Sequence, residues 1–395
     1  MKKKLLSLLL AAIMIFTLAA CGGGSTDNDS AEEADEAVTD SDGETIKIGQ
    51  IGPQTGEVAV YGITALQGIE LAIEEINADG GVLGRQLELI SEDDKGDPTE
   101  AVTLYNKLAD ENVDAIIGAI TSKPSDAIAT NSTEDGIPII TPTGTMASIT
   151  EGKDNVFRTC YIDPYQGEIL AQFAADSLNA TKAAVLRNTS DDYSNGVADA
   201  FIAKAEELGI EIVGDEGYGA DDVDFAVQLT NISQNNPEVL LVPEYYEKDV
   251  LIAKQVQDLG MDVQIIGPDG WDGVLDVVDA DSLESLEGVY FANHYSLDDE
   301  SEIVQNFVTN YSDAYGENPS AFAALGYDTV YLLKAAWEDA DSTDYEATIE
   351  ALKGIELEGV TGNLVFGENN NPIKASSIIV IEDGAYKFHE SIIVE

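Results

Sequence analysis

The stretch Val113–Thr145 constrains the possible fold more than any other part of the chain. Two short apolar runs, Ala115–Ile120 and Ile137–Ile140, flank a polar segment that is compatible with a helix. This pattern predicts a strand–helix–strand unit, from which parallel sheets are built. Hydroxyl residues follow both predicted strands. They therefore lie at the carboxyl edge of the sheet, where open α/β proteins bind ligands.

The predicted helix of this unit begins at the same edge of the sheet. Its free N–H groups and its dipole favour an anion there, such as a carboxylate. Serine is also a common N-cap residue, so Ser122 and Ser125 have a simpler interpretation as helix caps. The stretch alone leaves both interpretations open.

The alternation of strand and helix patterns continues on both sides of this unit. The upstream elements are two strands and two helices, Ile46–Gly52, Ala65–Ile76, Gln86–Ser91 and Pro98–Asn112. After the extended run Val156–Ile162, a second series begins at Gln166 and ends with the strand Val263–Ile266. We therefore predict an α/β protein with two doubly wound parallel-sheet lobes. The C-terminal part has the pattern of hairpin strands, predicted at Val360–Phe366, Ser376–Ile381 and Lys387–Ile393.

The N-terminus is typical of a targeting segment. Three lysines precede an apolar run, Leu5–Leu18, which is too short for a comfortable transmembrane helix. The run ends in Leu-Ala-Ala-Cys, which resembles a bacterial lipobox with Cys21 as the lipidated first residue of the mature chain. An ordinary signal peptide with a chance cysteine is the alternative. We predict a lipoprotein signal peptide at residues 1–20 and a disordered acidic tether at 21–45.

The charge balance excludes one class of partner. The chain has 75 acidic and 19 basic residues, a formal net charge of −56. Nucleic-acid binding needs clustered lysine and arginine, so nucleic acid is not expected as a partner. Besides Cys21, Cys160 is the one other cysteine, which rules out a disulfide within the mature folded part. Cys160 lies in an apolar run and is interpreted as structural.

Sequence motifs of enzymes are missing. The two histidines, His294 and His389, do not form a pair with metal-ligand spacing. The chain contains no nucleophile elbow of the G-x-S-x-G type and no phosphate-binding loop. We therefore expect no catalytic residue, no metal and no cofactor, and we interpret the chain as a binding protein.

Several short motifs occur together in a recognisable order. They are Ile51-Gly52-Pro53, Ile76-Asn77, Gly80–Gly84, Gly136-Ile137-Pro138, Phe157-Arg158-Thr159, Gln166-Gly167 and Gly267-Pro268-Asp269-Gly270. With these motifs, Ile46–Glu395 resembles the leucine/isoleucine/valine-binding family, type I extracellular solute-binding proteins that serve ABC importers. The resemblance implies lobe one at 46–162 plus 293–365 and lobe two at 163–292 plus 366–395. A three-segment hinge would join them near Ile162, Asn293 and Phe366.

The resemblance also implies how the polar groups of an α-amino acid are bound. Ser122 and Thr145 would hold the ligand carboxylate through their hydroxyls, and Thr143 through its backbone. Asp269 would pair with the ammonium. The Pro-Asp-Gly sequence at Asp269 is also typical of a turn. In the family this acid is often the longer glutamate, and well-studied members carry a disulfide in lobe one that this chain lacks.

Five aromatic residues are expected to surround the rest of the ligand. Tyr193 and Tyr245 from lobe two would close over it, while Tyr61 and Phe322 from lobe one would line its side-chain pocket, with Trp271 beside them. Tyr61 lies in a predicted loop, Thr55–Gly62, that is too polar for core. Tyr246 is the alternative to Tyr245, and Phe322 is also compatible with ordinary helix core.

These features lead to one functional prediction and two alternatives. We predict a solute-binding lipoprotein on the extracellular face of the cell membrane. It captures an amino acid, branched-chain or otherwise hydrophobic, and delivers it to the permease of an ABC importer. The first alternative is the same fold with an amide, urea or aromatic acid as ligand. The second is a sensor that presents its ligand to a receptor.

Overall fold

The computed structural model of the protein describes residues 45–394. The predicted signal peptide, the predicted lipidation site Cys21 and the tether up to residue 44 lie outside this range. Within it, no helix is long and apolar enough to cross a lipid bilayer.

The first sheet contains five strands, β1 (Ile46–Gly52), β2 (Leu87–Asp93), β3 (Ala115–Gly118), β4 (Ile139–Thr141) and β5 (Val156–Arg158). Its strands are all parallel, in the order β2-β1-β3-β4-β5. The helices that connect the first four strands are α1 (Ala59–Ala78), α2 (Pro98–Asp110) and α3 (Ser122–Asp135). The central strand β3 is buried along its whole length, as expected for a parallel sheet covered on both faces.

The second lobe repeats this arrangement with five parallel strands, β6 (Lys182–Asn188), β7 (Glu211–Tyr218), β8 (Val239–Leu241), β9 (Gln264–Gly267) and β10 (Tyr290–Asn293). The helices associated with them are α4 (Asp163–Asp176), α5 (Asp192–Glu207), α6 (Ala226–Ser233), α7 (Tyr246–Asp258) and the short α8 (Val274–Val277). A 3₁₀ turn, Asp269–Trp271, directly follows β9. It therefore lies at the carboxyl edge of this sheet, which is the edge that binds ligands in α/β proteins.

The C-terminal part contributes to both lobes. Its elements are α9 (Glu302–Tyr315), α10 (Ala321–Ala340), α11 (Tyr345–Gly354), β11 (Glu356–Gly359), β12 (Gly362–Val365), β13 (Ser376–Glu382) and β14 (Ala385–Ile392). Helix α10 packs against α1 and shares a buried core with β1 and β3. Strand β13 pairs antiparallel with β10, and β14 pairs antiparallel with β13. They complete a seven-stranded sheet, β14-β13-β10-β9-β8-β6-β7.

The chain passes between the two sheets after β5, after β10 and between β12 and β13. These passages contact one another: the Tyr161 hydroxyl lies 3.3 Å from Ser376 Oγ, which donates to the Asn293 carbonyl at 3.2 Å. Lys374 donates to the Thr159 carbonyl at 3.1 Å. The passages lie where the sequence predicts the hinge, although the lobe boundaries given above remain a prediction.

Two local predictions are wrong. The predicted loop Thr55–Gly62 is partly helical, because α1 begins at Ala59 and places Tyr61 in its first turn. The predicted strand Val360–Phe366 is instead a turn followed by β12. The Asp328 carboxylate accepts hydrogen bonds from the backbone N–H groups of Val360 and Thr361, both at 2.8 Å, and holds them in the turn.

Candidate functional site

A cavity of about 240 Å³ lies where the carboxyl edges of the two sheets face each other. Eight of the nine predicted binding residues line it, together with Ile120, Thr121 and Gly270. Trp271 is the one predicted residue that does not. Residues separated by more than 250 positions in the sequence thus converge on one small space, as in the ligand sites of other α/β folds.

The lobe-one side of the cavity is lined by hydroxyl groups in defined orientations. Ser122 Oγ lies 3.1 Å from the Thr145 backbone nitrogen and 3.4 Å from that of Met146, and it accepts both N–H groups. A serine hydroxyl has two acceptor lone pairs and one proton, so the Ser122 proton is left to donate. In this structure it faces Thr145 Oγ1 at 3.2 Å, and it must turn from this oxygen to reach a ligand. Thr143 donates its hydroxyl proton to the Ile120 carbonyl at 2.6 Å, which leaves only its backbone N–H to donate to a ligand carboxylate.

Helix α3 begins beside these hydroxyl groups. Its N-cap residue is Thr121, whose side chain makes no capping hydrogen bond. Ser125 is a structural residue, since its hydroxyl lies 2.9 Å from the Ala119 carbonyl and 2.8 Å from that of Thr121. Ser122 is the first helical residue and lines the cavity. The positive end of the α3 dipole and a donating hydroxyl therefore lie together, which suits an anion.

Asp269 lies at the lobe-two side of the cavity and is 4% exposed. Its Oδ1 accepts a hydrogen bond from the Tyr193 hydroxyl at 2.9 Å, and its Oδ2 lies 3.1 Å from Nε2 of His294. Its backbone nitrogen donates to Gln166 Oε1 at 2.9 Å. Among the described residues, no lysine or arginine forms an ion pair with it. The carboxylate is thus held in place without being neutralised, and this arrangement suits a bound cation.

Aromatic rings form the walls between these two polar ends. Tyr61 stacks on Phe322 with ring centroids 4.2 Å apart, and Tyr193 stacks on Tyr245 at 5.1 Å. Tyr61 also meets the edge of Tyr245 at 5.7 Å. The cavity therefore has one end lined by hydroxyl groups and a helix N-terminus, an acidic end and an apolar wall between them.

The sequence profile of the family described as "Periplasmic binding protein" matches residues 45–385. The chain belongs to this family. It is 32% identical over 329 residues to the Leu/Ile/Val-binding protein BraC3 of Rhizobium johnstonii, covering 82% of this chain and 88% of that protein. The predicted family resemblance is therefore confirmed.

Two solved structures support the same assignment. A leucine-binding protein LivK from Thermotoga maritima has 33% identity and a TM-score of 0.83, over 88% of this chain and 99% of that chain. The substrate-binding protein LivJ from Streptococcus pneumoniae, in complex with isoleucine, has 32% identity and a TM-score of 0.82, over 89% and 99%. They confirm the predicted fold class. The family consists of solute-binding proteins of ABC transporters, so the prediction of a non-enzymatic protein is also confirmed.

In this periplasmic binding protein, Tyr61 has a second role that its sequence position did not indicate. Its hydroxyl, on lobe-one helix α1, donates to the Gly270 carbonyl at 2.5 Å and accepts from the Tyr246 nitrogen at 3.1 Å. The backbone nitrogen of Val60 in turn donates to the Tyr246 hydroxyl at 3.3 Å. Tyr246 is thus part of the contact between the lobes, whereas Tyr245 lines the cavity.

Trp271 is placed differently from the expectation. Its side chain is fully buried in the lobe-two core, and its indole N–H donates to the Val242 carbonyl at 2.8 Å. The ring packs against Gly267, where a Cβ atom would lie 2.0 Å from the indole. Only glycine at position 267 leaves room for this ring. Trp271 therefore anchors the 3₁₀ turn Asp269–Trp271 in the lobe-two core.

Sequence reasoning missed two polar residues that hold Asp269. Gln166 lies in the first turn of α4, and His294 directly follows β10. Both lie near the predicted crossings of the hinge. His294 also follows a parallel strand at its carboxyl end, and this position in the sequence could have indicated that it lies near the site. Within residues 45–394, no group of acids, histidines and cysteines is suited to hold a metal ion.

Proposed function

We propose that this protein is an extracellular solute-binding lipoprotein that captures an amino acid, branched-chain or otherwise hydrophobic, and delivers it to the permease of an ABC importer. The main observation in support of the proposal is that groups suited to an anion and a group suited to a cation lie on opposite sides of the cavity. Ser122 and the start of α3 face it from lobe one, and the unneutralised Asp269 faces it from lobe two. An α-amino acid carries a carboxylate and an ammonium in one small molecule and satisfies both ends.

The proposed pose follows from the direction of each hydrogen bond. The ligand carboxylate accepts from the Ser122 hydroxyl, the Thr145 hydroxyl and the Thr143 backbone. The ammonium donates to Asp269, whose two oxygens each keep a free lone pair beside the bonds to Tyr193 and His294. A buried charge without a partner is costly, so each end of the cavity discriminates against ligands that lack the matching group.

The walls of the cavity support an apolar side chain. Tyr61, Phe322 and Ile120 present apolar surface, and no basic side chain lines the cavity within the described residues. We propose leucine, isoleucine and valine as the first ligands to test, with only modest discrimination among them, since one methylene changes affinity by about 1–3 kcal/mol.

The remaining parts of the proposal concern closure and location. The lobes at 46–162 plus 293–365 and 163–292 plus 366–395 would close over the ligand about the three crossing segments, as hinged binding proteins do. Lipid attached at Cys21 would anchor the protein to the cell membrane, and residues 21–45 would act as a tether. The permease of an importer is the proposed partner, and the relatives' names support this choice.

A thermal-shift screen of the purified mature chain tests the proposal. It should contain the common amino acids, primary amides, urea and aromatic carboxylic acids. A ligand at a hundred times its Kd should stabilise the protein by about 2.7 kcal/mol. We expect the largest shifts with leucine, isoleucine and valine. A shift with urea, an amide or an aromatic acid, and none with any amino acid, would reject the proposed ligand class.

A further inference from the structure

His294 contacts the carboxylate of the ligand-facing acid, but it makes no ligand contact in the proposed binding scheme. Its Nε2 lies 3.1 Å from Oδ2 of Asp269, and its side chain is almost fully buried. The residue directly follows β10, at one of the three crossings between the lobes. An imidazole in contact with the acid that faces the cavity needs an explanation beyond core packing.

The surroundings of the ring define its tautomer. Oδ2 of an ionised carboxylate can only accept, so Nε2 carries the proton and donates it. Nδ1 is buried and has no hydrogen-bond partner among the described residues. A proton on Nδ1 would be an unsatisfied buried donor, which is costly. The neutral Nε2–H form is therefore the one that fits.

The charge state of the ring follows from the same environment. Burial lowers the pKa of His294 below its usual range; nearby Lys374 lowers it further, and together they outweigh the opposite effect of Asp269. Acids that face this region, Asp163 among them, are also buried, and burial raises the pKa of Asp163. His294 is thus a donor without a positive charge. A lysine or arginine here would neutralise Asp269 and compete with a ligand ammonium.

The ring itself is held by the crossing segments. It stacks on Tyr161 with centroids 3.9 Å apart and an interplanar angle of 25°. Tyr161 belongs to the first crossing, and its hydroxyl contacts Ser376 of the third at 3.3 Å. The direction of the Nε2–H bond is therefore set by the packing of all three crossings and not by the loop that carries Asp269.

We propose that His294 is a positioning residue for ammonium recognition: as a neutral donor anchored in the hinge, it orients the Asp269 carboxylate while leaving its negative charge for the ligand. The inference rests on the proposed amino-acid function. It extends that function to a residue that does not line the cavity.

The test is a double-mutant cycle on the full mature chain, with leucine as the probe and calorimetry as the readout. His294→Phe keeps a ring to stack on Tyr161 and removes the donor. A hydrogen bond to a charged group supports an expected loss of leucine affinity of roughly 10- to 100-fold. In an Asp269→Ala background the same substitution should change affinity less than about threefold, because His294 acts through Asp269.

Two further variants separate positioning from structure. His294→Gln keeps an N–H donor and should stay within about fivefold of wild type. If His294→Phe fails to fold, the leucine affinity of His294→Gln is still measured. His389→Phe, on the exposed strand β14, is the matched control and should leave leucine affinity unchanged. Circular dichroism checks the fold of each variant.

Three outcomes would overturn the inference. They are wild-type leucine affinity in His294→Phe, an equal loss with and without Asp269, and a loss in His294→Gln as large as in His294→Phe. A wild-type protein that binds no amino acid rejects the proposed function itself, and this result needs no variant.

Discussion

Replacing Asp269 by asparagine is the most decisive perturbation of the proposed site. The amide has the shape of the carboxylate, and its oxygen still accepts from the Tyr193 hydroxyl. Its NH₂ group then faces His294, whose proton can move from Nε2 to the unpartnered Nδ1, so that Nε2 accepts. The hydrogen bonds to residue 269 are preserved in number. The substitution removes the negative charge and leaves an unpaired proton on the buried Nδ1.

The substitution has opposite effects on binding and on stability. Without Asp269, the ligand ammonium is buried unpaired, which costs roughly 3–5 kcal/mol, about two to four decades in Kd. In the free protein, burial raises the pKa of Asp163 and of Asp272, that of Asp272 to about 6, and repulsion from Asp269 adds to both shifts. Removing that charge relieves the repulsion. This relief offsets the cost of the unpaired Nδ1 proton, and we therefore expect Asp269→Asn to melt at a temperature no lower than that of the free wild type.

Calorimetric titration with leucine and thermal melts of the same samples provide both measurements. Asp272→Asn is the matched control, because this neighbouring acid accepts from Asn293 and from the Ala321 backbone and does not line the cavity. It should retain most of the leucine affinity. A folded Asp269→Asn protein that binds leucine within tenfold of wild type would refute the reasoning, and a large loss in Asp272→Asn alone would transfer the role to that residue.

Three other predictions concern closure, anchoring and charge. Tyr61→Phe keeps the stack on Phe322 but removes the hydrogen bonds to Gly270 and Tyr246; stopped-flow measurements should show leucine leaving roughly tenfold faster, and an unchanged rate would remove Tyr61 from closure. Cys21→Ser should release the protein from the membrane fraction, and normal processing with full retention would contradict the lipobox. Burial raises the pKa of the Asp94 and Asp272 carboxyl groups in the folded protein to about 6. Protonation of these groups therefore stabilises the fold. This contribution is complete below their pKa in the unfolded chain and is lost as the pH rises through 6. The melting temperature at constant ionic strength should therefore rise from pH 7.5 to pH 5.5; a fall would show that other groups dominate.

The sheets were predictable because their strands are local patterns. Runs such as Ala115–Ile120 are apolar throughout, and a fully buried parallel strand requires this. The carboxyl ends of the strands then follow from chain direction, so the sequence alone was enough to place Ser122, Thr143 and Thr145 together. Asp269 also follows β9 closely, but its role in the site was predicted from the family resemblance, since Pro-Asp-Gly alone is typical of a turn.

The features that the sequence did not indicate depend mainly on contacts between residues that are far apart in the chain. The turn at Val360 and Thr361 is set by Asp328, about thirty residues earlier, which no window of local pattern contains. The early start of α1 is a more local case, in which close backbone packing is involved: a Cβ atom at Gly62 would lie 1.7 Å from the Pro53 carbonyl, nine residues earlier. His294 is paired with an acid 25 residues away on another loop. Apolar periodicity carries no information on such pairs.

In the proposed function, the division of the site between the lobes links recognition to closure. The groups suited to a carboxylate belong to the strand ends and helix start of lobe one, and the acid suited to an ammonium belongs to lobe two. A ligand with only one of these charges satisfies one lobe and leaves the opposite charge-binding group buried and unpaired when the lobes close. That penalty opposes closure, whereas a zwitterion removes it at both ends. The Tyr61 contacts with Gly270 and Tyr246 form across the same gap and add to the closed state. Discrimination between amino acids and simple carboxylic acids would therefore arise in the closing step, because each lobe alone presents only half of the binding site.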